Sequence, residues 1–332
     1  MTEKKSSTNR RISVIIPNYN GSSTIGKCLE AVFSSEYDNF EVLAVDDCST
    51  DNSVEIIKRF PCRLIALDKN SGASKARNAG AKEGSGEIFF FIDSDCIVQK
   101  NTLSSVNEAS SRDGDKIIGG TYTKIPYDNS FFSAFQSIFI NYSETKKREP
   151  DYIATHAMAI DPVLFKKAGG FSEDFLPILE DVEFSHRLRR LGIKLIMHPE
   201  ILVQHIFNFT PIKSLRNAFR KSSWWTIYSL RNRDLLKDSG TASSELKINV
   251  ASYFLTTAFL LFFLFTLNIV PLGLIAITQA INLYTSRNLI TAFFNTKGLI
   301  FGLAATIYYT LIYPFAVGIG AISGIMHYLK MK

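Results

Sequence analysis

Glu87-Ile-Phe-Phe-Phe-Ile-Asp-Ser-Asp95 is an apolar run that stops on two carboxylates flanking one small residue. A continuous run of this kind is expected of a strand covered on both faces, so the two acids stand at its carboxyl end. The same pattern recurs three times upstream. Ile12-Ser-Val-Ile-Ile-Pro17 reads as a strand, followed by Ile25, Leu29, Val32 and Phe33 at helical spacing. Phe40-Glu-Val-Leu-Ala-Val45 is a second strand ending in Asp46-Asp47, after which Ser49-Thr50-Asp51 caps a helix over 52–59. Arg63 to Leu67 is a third, with a helix from about Ala73 to Lys82 behind it. Strands alternating with helices predict crossover connections and a mostly parallel sheet, hence an α/β fold.

Such sheets take ligands at the carboxyl ends of their strands. Asp46 and Asp47 lie at one of those ends, and Asp93 and Asp95 at another. Carboxylates gathered on one sheet edge repel each other unless a cation or a donor-rich ligand sits among them. Asp93-Ser94-Asp95 suits a hard divalent cation whose open positions go to phosphate oxygens. Turn and capping roles account for Asp51 and for one of Asp46 and Asp47, and fit the Asp93/Asp95 pair poorly.

Past residue 110 the pattern loosens to α+β. Lys116 to Lys124 and Tyr152 to Ile160 read as strands, and residues 131–142 as an aromatic-rich helix. Asp161-Pro162 caps a helix ended by Gly169-Gly170. Glu180-Asp181 opens a helix to about Leu191, and two short strands, Lys194 to Met197 and Leu202 to Ile206, follow.

The 332 residues carry a net charge of +6, distributed unevenly. From Ile248 onward there is no Asp or Glu, and only Arg287, Lys297, Lys330 and Lys332 are charged. Ile248 to Ser286 is an uncharged run of 39 residues, and Gly298 to Met326 one of 29, whereas one membrane crossing needs about 20. The second run is expected to be one helix; the first is either one long helix with an interfacial piece or two helices turning near Asn268 and Pro271. Three crossings are expected, with two as the alternative. Residues 1–11 are polar and Ile12–Pro17 is far too short for a signal sequence, so the first domain is expected to stay in the cytosol. Cys28, Cys48, Cys62 and Cys96 form no CxxC pair and read as reduced thiols.

Between these regions lie Lys213, Arg216, Arg220, Lys221, Arg231, Arg233 and Lys237, interleaved with Phe219, Trp224, Trp225 and Tyr228. This composition suits a helix lying on anionic headgroups. The adjoining apolar runs favour a membrane over a nucleic acid. Arg216, Arg220 or Lys221 is then placed to grip the phosphate of an acceptor lipid. The expected organisation is a polar tail over 1–11, an α/β domain over 12–210, a basic aromatic segment over 211–247 and a transmembrane region over 248–332.

These residues resemble the inverting family 2 glycosyltransferases of GT-A fold. The resemblance rests on Ile15-Ile-Pro-Asn-Tyr-Asn20, Val45-Asp-Asp-Cys-Ser-Thr-Asp51, Asn70-Ser-Gly72, Ala76-Arg-Asn-Ala-Gly80 and Phe91-Ile-Asp-Ser-Asp95. Gly169-Gly-Phe171, Glu180-Asp181 and Val203-Gln-His205 extend it to the acceptor half, so that it covers about residues 12–206. It implies a nucleotide-diphospho-sugar transferase domain, Rossmann-like, followed by the C-terminal helical membrane region. Pro17, Asn18 and Tyr19 would line the nucleotide pocket, with Asp46 or Asp47 accepting from the base edge and ribose. Asn70, Gly72 and Arg77 would shape the surroundings of the diphosphate. Asp93 would touch the ribose or a metal-bound water, Asp95 would ligate Mg2+ or Mn2+, and His205 would complete the site. Asp181 would be the base that deprotonates an acceptor hydroxyl, with Glu180 as its orienting neighbour or as the base itself.

The implied enzyme is a membrane-anchored hexosyltransferase with its catalytic domain on the cytoplasmic side. It would move a sugar from a UDP-sugar, or from a GDP-sugar, to a lipid-linked saccharide in polysaccharide or glycan biosynthesis. The alternative acceptor is a polyprenyl phosphate, already ionised and needing no base. A non-catalytic sugar-nucleotide scaffold is the rival from another class. Arg220-Lys-Ser-Ser-Trp-Trp225 does not match the QxxRW motif of membrane-embedded synthases, which argues against processive synthesis.

Overall fold

The computed structural model describes residues 9–110, 116–174 and 177–331. Residues 1–8 of the expected polar tail lie outside the described residues. The chain divides into two compact units: Met1–Tyr127 with Glu144–Phe207, and Asp128–Ser143 with Asn208–Lys332.

In the first unit the four expected strands and their helices follow in order: β1 (Ile12–Asn18), α1 (Ile25–Phe33), β2 (Phe40–Asp46), α2 (Ser53–Ile57), β3 (Arg63–Ala66), α3 (Ala73–Glu83) and β4 (Ile88–Phe91). Next come β5 (Cys96–Val98), α4 (Thr102–Ser110), β6 (Lys116–Tyr122), α5 (Phe131–Thr145), β7 (Met158–Ile160), α6 (Pro162–Lys167), α7 (Glu180–Arg190) and β8 (Lys194–His205). The eight-stranded sheet has the order β3-β2-β1-β4-β7-β6-β8-β5. β1 pairs in parallel with β2 and β4, and β2 with β3, as crossover units demand. β7 runs antiparallel between β4 and β6, while β6 and β8 are parallel. The sheet is therefore mixed and mostly parallel.

Two expected elements differ. Of the strand anticipated over Tyr152–Ile160 only Met158–Ile160 pairs, because Thr155–Ala157 forms a 3-10 turn. The two strands expected over Lys194–Ile206 are one, β8, in which a register shift opposite Gly119–Thr121 absorbs the polar His198-Pro-Glu200 stretch. Pro162 opens α6, and the Asp161 carboxylate accepts from the Val163 and Leu164 amides at 2.8 and 2.9 Å. The core beneath α6 and α7 is aromatic: Phe89, Phe91, Phe165, Phe171 and Phe184 meet in tilted and edge-on pairs with centroids 4.7–6.4 Å apart.

The second unit is helical. It takes α5 as far as Ser143 and continues with α8 (Pro211–Asn232), α9 (Ser244–Thr266), α10 (Val270–Ile307), a π turn over Tyr308–Ile312 and α11 (Tyr313–Lys330). The uncharged run from Ile248 does break where Asn268 and Pro271 predict, between α9 and α10. A second break at Gly298 (φ 78°) interrupts α10, after which the chain is helical to Lys330. Ser244–Thr266 and Val270–Lys330 are long and apolar enough to cross a membrane, and Leu260, Leu261, Phe262, Leu264 and Phe265 stand exposed along α9. The backbone-to-backbone approach of α8 and α11 depends on glycine. A Cβ on Gly320 would lie 2.4 Å from the Phe219 carbonyl oxygen, and one on Gly324 2.5 Å from that of Ser223. Polar side chains tie the apolar helices together: Asn282 donates to Asn249 Oδ1 at 2.9 Å, and Asn249 donates to the Tyr309 carbonyl of the π turn at 2.7 Å.

Candidate active site

The carboxyl ends of β1, β2 and β4 bring three of the sequence motifs together. Asp46, buried at the end of β2, accepts from Asn18 Nδ2 (2.9 Å), Ser49 Oγ (2.6 Å) and the Ser49 amide (2.9 Å). Asp47 accepts from the Ser71 and Gly72 amides at 2.7 and 2.8 Å. Both carboxylates thus fix the loops that would surround a nucleotide, one through Asn18 and one through residues 71–72. Gly72 has φ 88°, a left-handed conformation that makes a side chain costly there. Pro17 is buried, Asn70 is exposed, and Tyr19 stands half-exposed at the rim. Cys48, next to Asp47, also takes positive φ, at 63°.

Arg77 is not presented at a surface where a diphosphate could reach it. It is 3% exposed and spans two carboxylates, donating to Asp93 Oδ1 at 2.7 Å and to Glu180 Oε1 at 2.6 Å. Burial works against its charge, and Asp93 and Glu180 reverse that and raise its pKa further. Its neighbour Asn78 exchanges hydrogen bonds with the Phe171 backbone at 2.8 and 2.9 Å. The Arg77-Asn78 pair on α3 therefore locks Gly169-Gly170-Phe171 and the start of α7 onto the end of β4.

Asp93 and Asp95 occupy different electrostatic states. Burial disfavours the Asp93 charge, but Arg77, with His156 and His205 adding less, holds the carboxyl below its ordinary range. Burial first, and then the charge of Asp93, pushes Asp95 up to about 7. The Asp95 side chain keeps 39% exposure, so a ligand arriving from solvent reaches it. His205, opposite Cys96 on the β5–β8 pair, puts Nε2 3.4 Å from Asp95 Oδ2. Its ring lies on Phe207 (3.8 Å) and meets the edge of Tyr122 (4.9 Å). One carboxylate oxygen and one imidazole nitrogen converge, with a second carboxylate two residues away, a donor set that fits Mg2+ or Mn2+. Cys96 Sγ lies in the same cluster, but burial and both aspartates raise its pKa well above the ordinary thiol value, and a protonated thiol is a poor ligand for either ion.

Glu180 and Asp181 open α7, where acidic residues suit the helix N-terminus. Glu180 is taken by Arg77, and Asp181 Oδ1 accepts from the Val182 amide at 2.8 Å. The sequence motifs do not single out one further pair. His156 Nε2 lies 3.3 Å from Glu144 Oε2, both buried, with the imidazole stacked on Tyr122 at 3.9 Å. Burial opposes the His156 charge, and Glu144, then Asp93 and Asp181, outweigh it and raise the pKa. The signal available in sequence is a lone His in one apolar segment and a lone Glu ending an aromatic helix. Each is weak until the fold pairs them. Arg216 and Arg220 are exposed on α8 in the second unit, and Lys221 is partly buried there.

A parallel β1-β2-β4 sheet edge carrying a carboxylate pair, extended by antiparallel β7, defines a GT-A type nucleotide-sugar fold. Residues 13–166 match the family described as Glycosyl transferase family 2. Glycosyltransferase GlyG of Streptococcus pneumoniae is 34% identical over 127 residues, 36% of this chain and 42% of GlyG. Glycosyltransferase AglE of Haloferax volcanii is 37% identical over 116 residues, 33% of this chain and 38% of AglE. The matched stretch spans less than half the length of either relative. The mannosyltransferase PcManGT from Pyrobaculum calidifontis, solved in complex with GDP-Man and Mn2+, aligns with a TM-score of 0.59 at 17% identity, over 97% of this chain and 88% of that one. At that identity the likeness is one of fold.

Proposed function

We propose that the chain is a metal-dependent, inverting glycosyltransferase that moves a sugar from a nucleotide diphosphate sugar to a lipid-linked acceptor at a membrane. The observation that carries this reading is the continuous ion-pair path from Asp93 through Arg77 to Glu180, which ties the carboxylates suited to a cation to the residues suited to a base. Asp95, Asp93 and His205 would hold Mg2+ or Mn2+. When bound, that ion offsets the negative charge gathering on the departing diphosphate. Asp181 takes the proton of the acceptor hydroxyl as it attacks the anomeric carbon from the side opposite the diphosphate, which inverts the configuration. Glu180, anchored by Arg77, fixes the start of α7 and hence the position of Asp181. The donor panel includes GDP-sugars as well as UDP-sugars, since a relative of the same fold is solved with GDP-Man.

Membrane anchoring is supported by the two long apolar helical stretches. We propose a multi-pass protein of the cell membrane whose first unit faces the cytoplasm. Extraction from membranes only by detergent is the expected behaviour, and release by salt or alkali would overturn it.

The deciding experiment is nucleotide release and thermal shift with purified protein, Mn2+ and a panel of UDP- and GDP-sugars, alongside Asp95→Ala. Metal-dependent stabilisation by one donor, lost in Asp95→Ala, is expected. Donor binding without nucleotide release would move the non-catalytic scaffold to first place, and absence of binding by every donor would overturn the transferase reading. Asp181→Asn separates the acceptors: it abolishes transfer to a sugar hydroxyl, whereas transfer to a polyprenyl phosphate would persist.

A further inference from the structure

The course of each helix in the second unit is fixed by its neighbours. α8 carries Lys213, Arg216, Arg220, Lys221 and Arg231, and its longest uncharged stretch, 222–230, falls far short of the roughly 20 residues that a crossing needs. α11 lies beside it, parallel to it. Ser222 Oγ donates to the Val317 carbonyl at 2.7 Å, Gly320 and Gly324 abut the Phe219 and Ser223 carbonyls, Trp224 meets His327 at 5.8 Å, and Arg231 reaches the Met331 sulfur at 3.5 Å. A helix paired over this length with one that cannot cross a bilayer shares its course.

α9 runs across that pair. Tyr309, Phe315 and Gly318 span about 14 Å of chain at the helical rise, yet they meet α9 at Asn249, at Tyr253, and at Val250 with Phe254, all within its first three turns. With α10, by contrast, α9 forms a hairpin: Asn282 donates to Asn249, and Gln279 donates to Thr256 Oγ1 at 2.7 Å. Lys247 and Arg287 mark the open end of this hairpin. From there to its turn, residues 248–266 and 270–286 are helical and uncharged, about 28 and 26 Å long against a hydrocarbon core of about 30 Å. The surface of α11 is of another kind. Phe315, Ile319, Ile322, Met326 and Leu329 stand exposed at alternate spacings of four and three, a single stripe, while Gly320 and Gly324 face α8. A basic helix and a striped helix lying side by side suit the boundary of a bilayer rather than its interior.

We infer that the chain crosses the bilayer twice, through α9 and α10, and that α11 lies in the headgroup boundary beside α8 with its stripe in the acyl layer. The occupant of the stripe is lipid because α11 passes the near end of α9, where the exposed apolar residues of α9 begin at Leu255, so that one apolar surface continues into the other. The inference replaces the three crossings expected from the uncharged runs, of which Gly298–Met326 was to be one. Length and absence of charge do not separate a helix that crosses from one that packs small residues against a charged neighbour. The inference rests on the proposed membrane anchoring and adds which helices cross: Asn268 lies on the far side, and Lys330 on the side of α8.

The test places the full chain in vesicles of phosphatidylcholine and phosphatidylglycerol that carry lipids brominated at known depths. Trp224 and Trp225 are the chain's two tryptophans, so Trp224→Phe/Trp225→Phe gives a silent background for Phe315→Trp, Ile322→Trp or Leu329→Trp on α11 and Leu255→Trp or Phe265→Trp on α9. The three α11 probes should be quenched at one shallow depth, and Leu255→Trp nearer the midplane than Phe265→Trp. A depth that changes by about 20 Å from Phe315→Trp to Leu329→Trp, the rise of a crossing helix, would overturn the inference. So would quenching on α9 without any on α11, which would leave the stripe to water or to another protein. Quenching on neither helix would remove the membrane anchoring itself. Labelling with an impermeant maleimide, which needs no tryptophan removed, checks the same point in cells: Asn268→Cys and Lys330→Cys should react from opposite faces of the membrane, and reaction from the same face would restore the third crossing.

Discussion

Arg77 holds Asp93 at 2.7 Å and Glu180 at 2.6 Å from within the protein, so its removal strands two carboxylates together. Arg77→Met should lower stability by about 3 kcal/mol, the scale of a broken buried pair, and reduce nucleotide release at least a hundredfold. Arg77→Lys should recover part of the stability and little of the activity, because an ammonium is a point charge and cannot span both acids in plane. Thermal unfolding and initial rates check both; an Arg77→Met variant of native stability would remove the path on which the proposed mechanism stands. Asp95 carries a second prediction. Its folded pKa of about 7 lies above the unfolded 3.8, so the folded chain binds the proton more tightly and loses stability as pH rises from about 4 to about 7. Asp93, held low by Arg77, runs the other way: its contribution is present above the unfolded pKa and is lost as pH falls through the folded value. A cation favours ionised Asp95, so the Mn2+-induced rise in melting temperature should be larger at about pH 8 than at about pH 6, and Asp95→Asn should abolish that difference. The acids themselves were legible in sequence because each ends an apolar run. The role of Arg77 was not, since an arginine one helix away from an Asp-Ser-Asp reads equally well as a phosphate ligand, and only the folded distances show both its ends occupied.

At the scale of elements, what sequence shows is periodicity, and it serves best where a strand is paired along its whole length. β1, β2 and β4 were readable for that reason. β5 is three residues long and has no period to read, and β8 looks like two strands because His198-Pro-Glu200 breaks the apolar pattern without breaking the pairing. In the helical unit the close approach of two helices depends on glycine. Gly320 and Gly324 lie four apart on one face of α11, and the α8 backbone occupies the space their side chains would need. Gly324→Ala drives a Cβ against the Ser223 carbonyl, and the helices must move apart, at a cost of about 1–3 kcal/mol. Gly273, around which nothing lies within 4 Å, is the matched control, expected to change little on replacement by Ala. Unfolding in mixed detergent micelles measures both, and equal effects would show that helix propensity rather than close approach sets the result.

At the scale of the whole chain, the two units are threaded rather than strung end to end. The chain leaves the sheet unit at Asp128, returns at Glu144 and leaves again at Asn208. A reading by composition places one boundary near residue 210, because residues 131–142 read as an aromatic-rich helix and composition does not say what that helix packs against. In the structure Phe135 on that helix packs against Phe293, Tyr308 and Tyr313 at 4.8–5.3 Å, partners that all come from the helical unit. Cutting the chain after Phe207 therefore exposes Phe135, Ile138 and Phe139, which are 0–3% exposed in the full chain. Burial of each such side chain is worth about 1.5–3 kcal/mol, and an exposed patch of them favours self-association. Residues 9–207 should consequently be recovered as aggregate. The same piece with 128–143 replaced by a Gly/Ser linker should be monomeric by light scattering and should still bind a nucleotide with Mn2+, because Asp46, Asp47, Arg77, Asp93, Asp95, Glu180 and His205 all lie outside the replaced segment. Aggregation of both forms would mean that the sheet unit needs the helices for its own stability, and the helical unit would then be part of the fold of the site rather than its anchor alone.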